Sequence, residues 1–154
     1  MTIEVRGAGL LHIAALCVLE ARCFGCERVL AGHWQRIGQP GVLVWMAHVD
    51  GDAAGFQIAY PKEVNGVVQP YVAALGVVSQ HRRRGIARKL LQTALEHYGA
   101  AWLHVRASNT AAIALYESMH LVQMKRVEKY YNDGEDALLM ARIQRGHSRP
   151  LRRL

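Results

Sequence analysis

The sequence lacks several features, and each absence narrows its class. No apolar run reaches the roughly 18 residues of a membrane-spanning helix; the stretch 13–19 is apolar but short, bounded by His12 and Glu20. No charged start leads into a cleavage pattern, so no secretory leader is expected. There are only three cysteines, Cys17, Cys23 and Cys26. Cys23 and Cys26 stand in C-x-x-C spacing, which a redox or metal pair would use. Zinc normally needs four ligands, and no second pair is present. A thioredoxin-like pair opens a helix after a strand, whereas this one ends a helix. Reduced thiols in a reducing, cytoplasmic setting are the expectation. His81, His120 and His147 are scattered, so no metal is expected either. The glycine fingerprints of dinucleotide and nucleotide P-loop sites are also missing.

Acidic residues are few: 12 against 19 lysines and arginines, a formal charge of +7. Five of those seven charges are Arg142, Arg145, Arg149, Arg152 and Arg153, so the body of the chain carries +2. This asymmetry argues against a protein-wide nucleic-acid surface. It predicts a solvated basic tail over residues 144–154, with association with the ribosome as its possible use and no membrane partner. The sequence carries no signal of oligomeric state.

What is present reads as one domain over residues 1–143. Alternation predicts a first strand over 2–6. Apolar spacing predicts a helix over 10–22, and a second short one over 27–34. Residues 42–48 and 53–60 form a hairpin around Asp50-Gly51-Asp52. A strand over 69–78 and a helix over 85–98, closed by Gly99, follow. A strand over 101–106 leads to a helix capped by Ser108 or Asn109 and ending near Ser118. Strands over 121–130 and 136–143 flank the Asn132-Asp133-Gly134 turn. The order β-α-α-β-β-β-α-β-α-β-β predicts an α/β (mixed α+β) domain. Its sheet is mixed and mostly antiparallel, with helices on both faces.

The most informative stretch is Arg82-Arg83-Arg84-Gly85-Ile86-Ala87, between the strand and the long helix. Such a turn offers backbone N–H groups, the positive end of the helix and arginine charge to a phosphate. A solvated arginine loop that merely caps the helix would look the same locally. Here Arg82-x-x-Gly85-x-Ala87 resembles the acetyl-CoA-binding motif of the GNAT acetyltransferase superfamily. Residues 106–118 are similar to the helix of protein N-terminal acetyltransferases, and residues 129–137 to the end of their archaeal and eukaryotic members. The resemblance implies a single GNAT domain that binds acetyl-CoA. Arg82, Arg83, Arg84, Gly85, Ile86 and Ala87 would hold its pyrophosphate, with Val77 and Val78 beside the pantetheine arm.

The implied reaction moves an acetyl group from a thioester to an amine, whose proton must leave first. Bacterial alanine-acetylating members carry a glutamate base where this chain has His104. In that respect it resembles the NatE-type eukaryotic enzymes, whose histidine works with a tyrosine at the position of Tyr71. A histidine near its ordinary pKa is a reasonable base; packing on a strand is the alternative for both residues. Tyr116 matches the family's general acid and Asn109 a cofactor-side asparagine. Phe24, Tyr130 and Tyr131, with Tyr71, would contact the peptide N-terminus. Leu138 departs from the tyrosine of some relatives, and Glu135 and Asp136 could either attract an ammonium or cap the turn. Two rival functions remain open: a GNAT enzyme acting on a small amine, polyamine or lysine side chain, and a non-catalytic acetyl-CoA-binding or RNA-associated protein.

Overall fold

The computed structural model describes residues 1–25, 32–64 and 66–143. Seven strands of these residues form one sheet: β1 (Ile3–Ala8), β2 (Leu43–Val49), β3 (Asp52–Val64), β4 (Val67–Val77), β5 (Ala101–Arg106), β6 (Val122–Val127) and β7 (Ala137–Arg142). Their spatial order is β1-β2-β3-β4-β5-β7-β6. Every pairing is antiparallel except β4 with β5. Among the described residues three helices accompany the sheet: α1 (Ile13–Phe24), α2 (Ile86–Tyr98) and α3 (Thr110–Ser118). The mixed, mostly antiparallel domain anticipated from the sequence is therefore present.

Alternation along β3 places α1 and α2 on opposite faces. Phe56 meets the ring of Phe24 at the end of α1, with centroids 6.1 Å apart. Its neighbour Gln57 points the other way and donates from Nε2 to the Leu90 carbonyl of α2 at 3.1 Å. On the first face Leu16 and Leu19 of α1 pack with Val44, Met46, Phe56 and Ile58. On the second, Leu91, Ala94 and Leu95 of α2 share a core with Leu103, Val105 and Tyr116. The apolar residues of α2 recur at three- and four-residue spacing, which is why one stripe of it is buried. Gly99 ends it in the left-handed conformation, φ 74°, its N–H bonded to the Leu95 carbonyl at 2.8 Å. Asn109 caps α3 by accepting the Ala112 N–H at 3.2 Å.

Several expected boundaries shift. The first helix opens with a 3-10 turn at Leu10–His12 and continues through Phe24 to Gly25. Most of the second expected helix, together with Cys26, lies outside the described residues; Trp34–Arg36 is a 3-10 turn. The hairpin strand β3 runs past Pro61 to Val64. β2 begins at Leu43, opposite Ala59, so beyond that point β3 has β4 alone beside it, and a proline there is tolerated. β6 ends at Val127 rather than Tyr130, and Lys129 turns the chain with φ 49°. Tyr130 and Tyr131 consequently belong to a loop. Residues 144–154, including His147 and the basic tail, lie outside the described residues.

The centre of the sheet is divided. β4 pairs with β5 only where Tyr71 faces Trp102. In β4 the register against β3 passes from Val72↔Ala59 to Ala74↔Ile58, so Ala73 is an extra, bulged residue. Such a bulge bends its strand away from a regular ladder. Beyond Tyr71 the two strands part, and the space between them is the site.

Candidate active site

Two cavities meet at this parting. The larger, of about 720 Å³, lies between β4, the start of α2 and α3. The smaller, of about 380 Å³, opens on the face of β4 and β5 that carries Tyr71 and His104. Phe24, Leu75, Asn109 and Tyr116 line both, so the two spaces are continuous.

The larger cavity has the character of an anion site. Arg83 and Gly85 both adopt positive φ, 62° and 80°, which curls the chain into a concave turn. The first intrahelical bond of α2 is donated by Lys89 to the Gly85 carbonyl at 3.0 Å. The amides of Ile86, Ala87 and Arg88 precede it and so have no acceptor within the helix. No atom lies within 4 Å of the position a Cβ on Gly85 would take. That combination of amide donors, a positive helix end and open space fits a diphosphate.

Val77, Arg82, Arg83, Gly85, Ile86, Ala87, Asn109 and Tyr116 line this cavity as the sequence suggested. Val78 and Arg84 are not among its lining residues. Val78 is fully buried in the core and donates its N–H to the Ala54 carbonyl at 2.9 Å. Arg84 reaches the Met1 sulfur at 3.7 Å. The Arg82 guanidinium holds protein rather than pointing into space, with Nε on the Val77 carbonyl at 3.0 Å and a terminal nitrogen on the Cys23 carbonyl at 3.2 Å. It fastens the cradle to the ends of β4 and α1. Arg88, which the sequence reading passed over, lines the cavity and donates to Ser118 Oγ at 2.8 Å. Gly76 leaves room for Phe24, whose ring atoms would stand 2.9 Å from a Cβ there.

The smaller cavity gathers titratable side chains. His104 Nδ1 lies 3.3 Å from the Tyr71 hydroxyl. The His104 ring stacks on Tyr130, centroids 4.4 Å apart and 13° from parallel. Tyr131 stands edge-on to Tyr130 at 5.1 Å. Phe24 lines the cavity as expected. Burial first, then the positive charge of Lys62, lowers the His104 pKa from 6.5, so the imidazole is neutral at pH 7. Burial first, then Tyr130, raises the Tyr71 phenol, which therefore stays protonated. Tyr116 is raised too, by burial and then by Tyr131, and retains a proton that it can donate. Cys23, at the edge of the larger cavity, is pushed up to about 11, chiefly by burial, and remains an unreactive thiol.

Glu135 and Asp136 fasten the tyrosine loop. Glu135 accepts from the Ser108 hydroxyl, from the Ser108 N–H at 3.0 Å and from Arg106 at 2.8 Å. The Ser108 donors first, then Arg106, hold its carboxyl down at about 2. The tie is therefore complete above the ordinary carboxylate value of 4.5 and is lost only as pH falls toward 2. Asp136 accepts the Lys129 N–H at 2.9 Å and pairs with Arg126 at 2.7 Å. Arg106 also sits 4.0 Å over the Tyr131 ring. The turn-capping alternative is the one realised for both acids.

Sequence reading missed Lys62, Trp102 and His33. Lys62 Nζ stands 4.5 Å from the Tyr71 ring and 5.4 Å from that of Trp102. The available signal was register: Trp102 is two residues before His104 and so on its face of the sheet. Among the described residues no group of three or more potential ligands could hold a metal ion.

A parted sheet with an amide cradle on one side of the gap and a neutral imidazole on the other defines a group-transfer enzyme with a phosphate-bearing donor. The chain belongs to the acetyltransferase (GNAT) family, which it matches over residues 10–121. It is 34% identical over 122 residues to an N-alpha-acetyltransferase of Saccharolobus solfataricus, covering 70% of this chain and 73% of that protein. It is 36% identical to the N-terminal acetyltransferase A complex catalytic subunit NAA10 of Arabidopsis thaliana, covering 70% of this chain and 59% of that one. The crystal structure of the ribosomal-protein-S18-alanine N-acetyltransferase from Escherichia coli superposes with a TM-score of 0.77 at 27% identity, covering 91% and 92% of the two chains.

Proposed function

We propose that the protein transfers the acetyl group of acetyl-CoA to the N-terminal α-amine of a protein or peptide. The observation that carries this reading is the placement of His104, held between Tyr71 and Tyr130 in a cleft that opens into the anion cavity at Tyr116. Names of relatives acting on α-amines support it. So does charge: Lys62 and Arg36 beside the cleft disfavour a polyamine.

The donor supplies an acetyl group activated as a thioester. The turn over residues 82–88 would hold its phosphates, and Val77 with Leu75 would border the arm that follows. On the acceptor side, the His104 tautomer that carries its hydrogen on Nδ1 and donates it to the Tyr71 oxygen would leave the Nε2 lone pair to take the ammonium proton, directly or through a water. The amine nitrogen then bonds to the acetyl carbon as the carbon–sulfur bond breaks. Tyr116 gives its proton to the departing thiolate. With Cys23 held as a thiol, direct transfer is favoured over an acetyl-enzyme on that residue. A Tyr116→Phe enzyme is expected to keep its acetyl-CoA affinity and lose roughly tenfold or more in kcat. Unchanged kcat would remove Tyr116 as the acid.

A peptide-library assay read by mass spectrometry tests the acceptor. Modified α-amines on lysine-blocked peptides are the expected product, whereas acetylation confined to lysine side chains or small amines would overturn the reading. Part of the proposal is that the protein works in the cytoplasm on chains at the ribosome, engaged through residues 144–154. The same assay on ribosome-bound nascent chains should lose yield when those residues are deleted, with free peptides acetylated as before.

A further inference from the structure

We propose that the acceptor cleft selects peptides with a carboxylate side chain within their first three residues, and that Lys62 and Arg36 are the cations that read it. The inference rests on the α-amine reading above.

Lys62 Nζ rides on the faces of Tyr71 and Trp102. Arg36 rides on Tyr60 at 4.6 Å, and the Tyr60 and Tyr71 rings are 5.8 Å apart. Tyr71 in turn bonds His104. The cations are thus spaced along one aromatic wall, Lys62 one ring removed from His104 and Arg36 two. The ring steps along it, 5.9 Å from His104 to Tyr71 and 5.8 Å from Tyr71 to Tyr60, together match about three extended residues at roughly 3.4 Å each. Tyr71 and His33 line the smaller cavity, and the His33 ring lies 5.6 Å from that of Tyr60, so the wall adjoins the cleft a peptide α-amine would enter to reach His104.

Both side chains are exposed. Among the described residues no carboxylate pairs with Lys62 or Arg36. The acids of the tyrosine loop, Asp133 and Glu135, are both engaged by Arg106. Stacking on a ring leaves the ammonium and guanidinium N–H groups free to donate to a carboxylate. Their field reaches the cleft: after burial, which is the larger cause, Arg36 and Lys62 lower the pKa of His33, which lines it, and Lys62 lowers that of His104. An acidic side chain at this wall gains what a lysine or arginine there would lose. Both residues are exposed, so the effect is moderated by water and salt.

The test is a set of peptides with one Asp, Asn or Lys placed in turn at positions one to three, with kcat/KM for α-acetylation measured by mass spectrometry. The Asp peptides should exceed their Lys counterparts by roughly fivefold or more at one position, with Asn between and the ratio shrinking as salt rises. In the Lys62→Gln, Arg36→Gln double variant the ratio should fall below about twofold, and Lys62→Glu should reverse it. Thermal melting of each variant checks that the fold is kept. Equal rates for Asp and Lys peptides in the active enzyme would overturn the inference alone, as would a preference that survives the double substitution. Absence of α-acetyl product from every peptide would overturn the α-amine reading and this inference together.

Discussion

Replacing His104 with alanine is expected to lower kcat/KM for acetyl transfer by roughly 100- to 1,000-fold, the usual worth of a positioned acid–base group. Affinity for acetyl-CoA should stay within about twofold, because His104 lines the acceptor cavity and not the larger one. The pH profile separates this from simple damage. Because the His104 pKa is shifted down from 6.5, the native enzyme should hold its activity at pH 7 and lose it only as pH falls below that ordinary value. The alanine variant should lack this limb and instead gain activity as the substrate amine deprotonates, near pH about 8. Steady-state kinetics from pH 5 to 9 would check both. Full activity in the variant would remove His104 as the base, and an intact low-pH limb would assign that limb to another group.

Gly85→Val should act on the other half of the reaction. Gly85 has φ 80° and begins α2, and a side chain there points into open space at the cradle. Valine would strain the backbone, by about 1–3 kcal/mol. It would also place its methyl groups where the amides must approach a diphosphate, weakening charge-assisted bonds. Together these predict a roughly 10- to 100-fold rise in the dissociation constant for acetyl-CoA. Gly134→Val is the control, since Gly134 also has positive φ, 84°, and open surroundings, but lies in the tyrosine-loop turn. It should lower the melting temperature without comparable loss of donor binding. Calorimetry on both variants decides the matter; undiminished affinity in Gly85→Val would take phosphate binding away from the turn.

What could be read from the sequence was local. The strand–turn–helix around Gly85 depends on neighbours within a few residues, as do the Asn109 cap and the Gly99 stop, and all three are found. His104 and Tyr71 were paired through family resemblance, and their side chains do meet at 3.3 Å. What escaped depends on register and tertiary contact. The bulge at Ala73 has no sequence mark, since an alanine there suits a regular strand equally well. Pro61 looked like the end of β3 because nothing local reveals that β2 has already stopped, so Lys62 was left out of the site. Arg82 and Arg84 looked like phosphate ligands by charge, yet Arg82 is spent on two carbonyls and Arg84 reaches the first residue. Glu135 and Asp136 carried two readings, and only their partners, Ser108, Arg106, Lys129 and Arg126, distinguish them.

The single rung between β4 and β5 has a further meaning. A sheet ordinarily has edges only at its two outer strands, where unpaired amides and carbonyls invite another strand. Here the parting of β4 from β5 creates two more, facing each other inside the molecule. On the proposed function, an extended chain end entering there would meet main-chain donors and acceptors as an incoming strand does. Such a surface would hold a polypeptide by what all polypeptides share, and would leave the choice among them to the side chains along the rim.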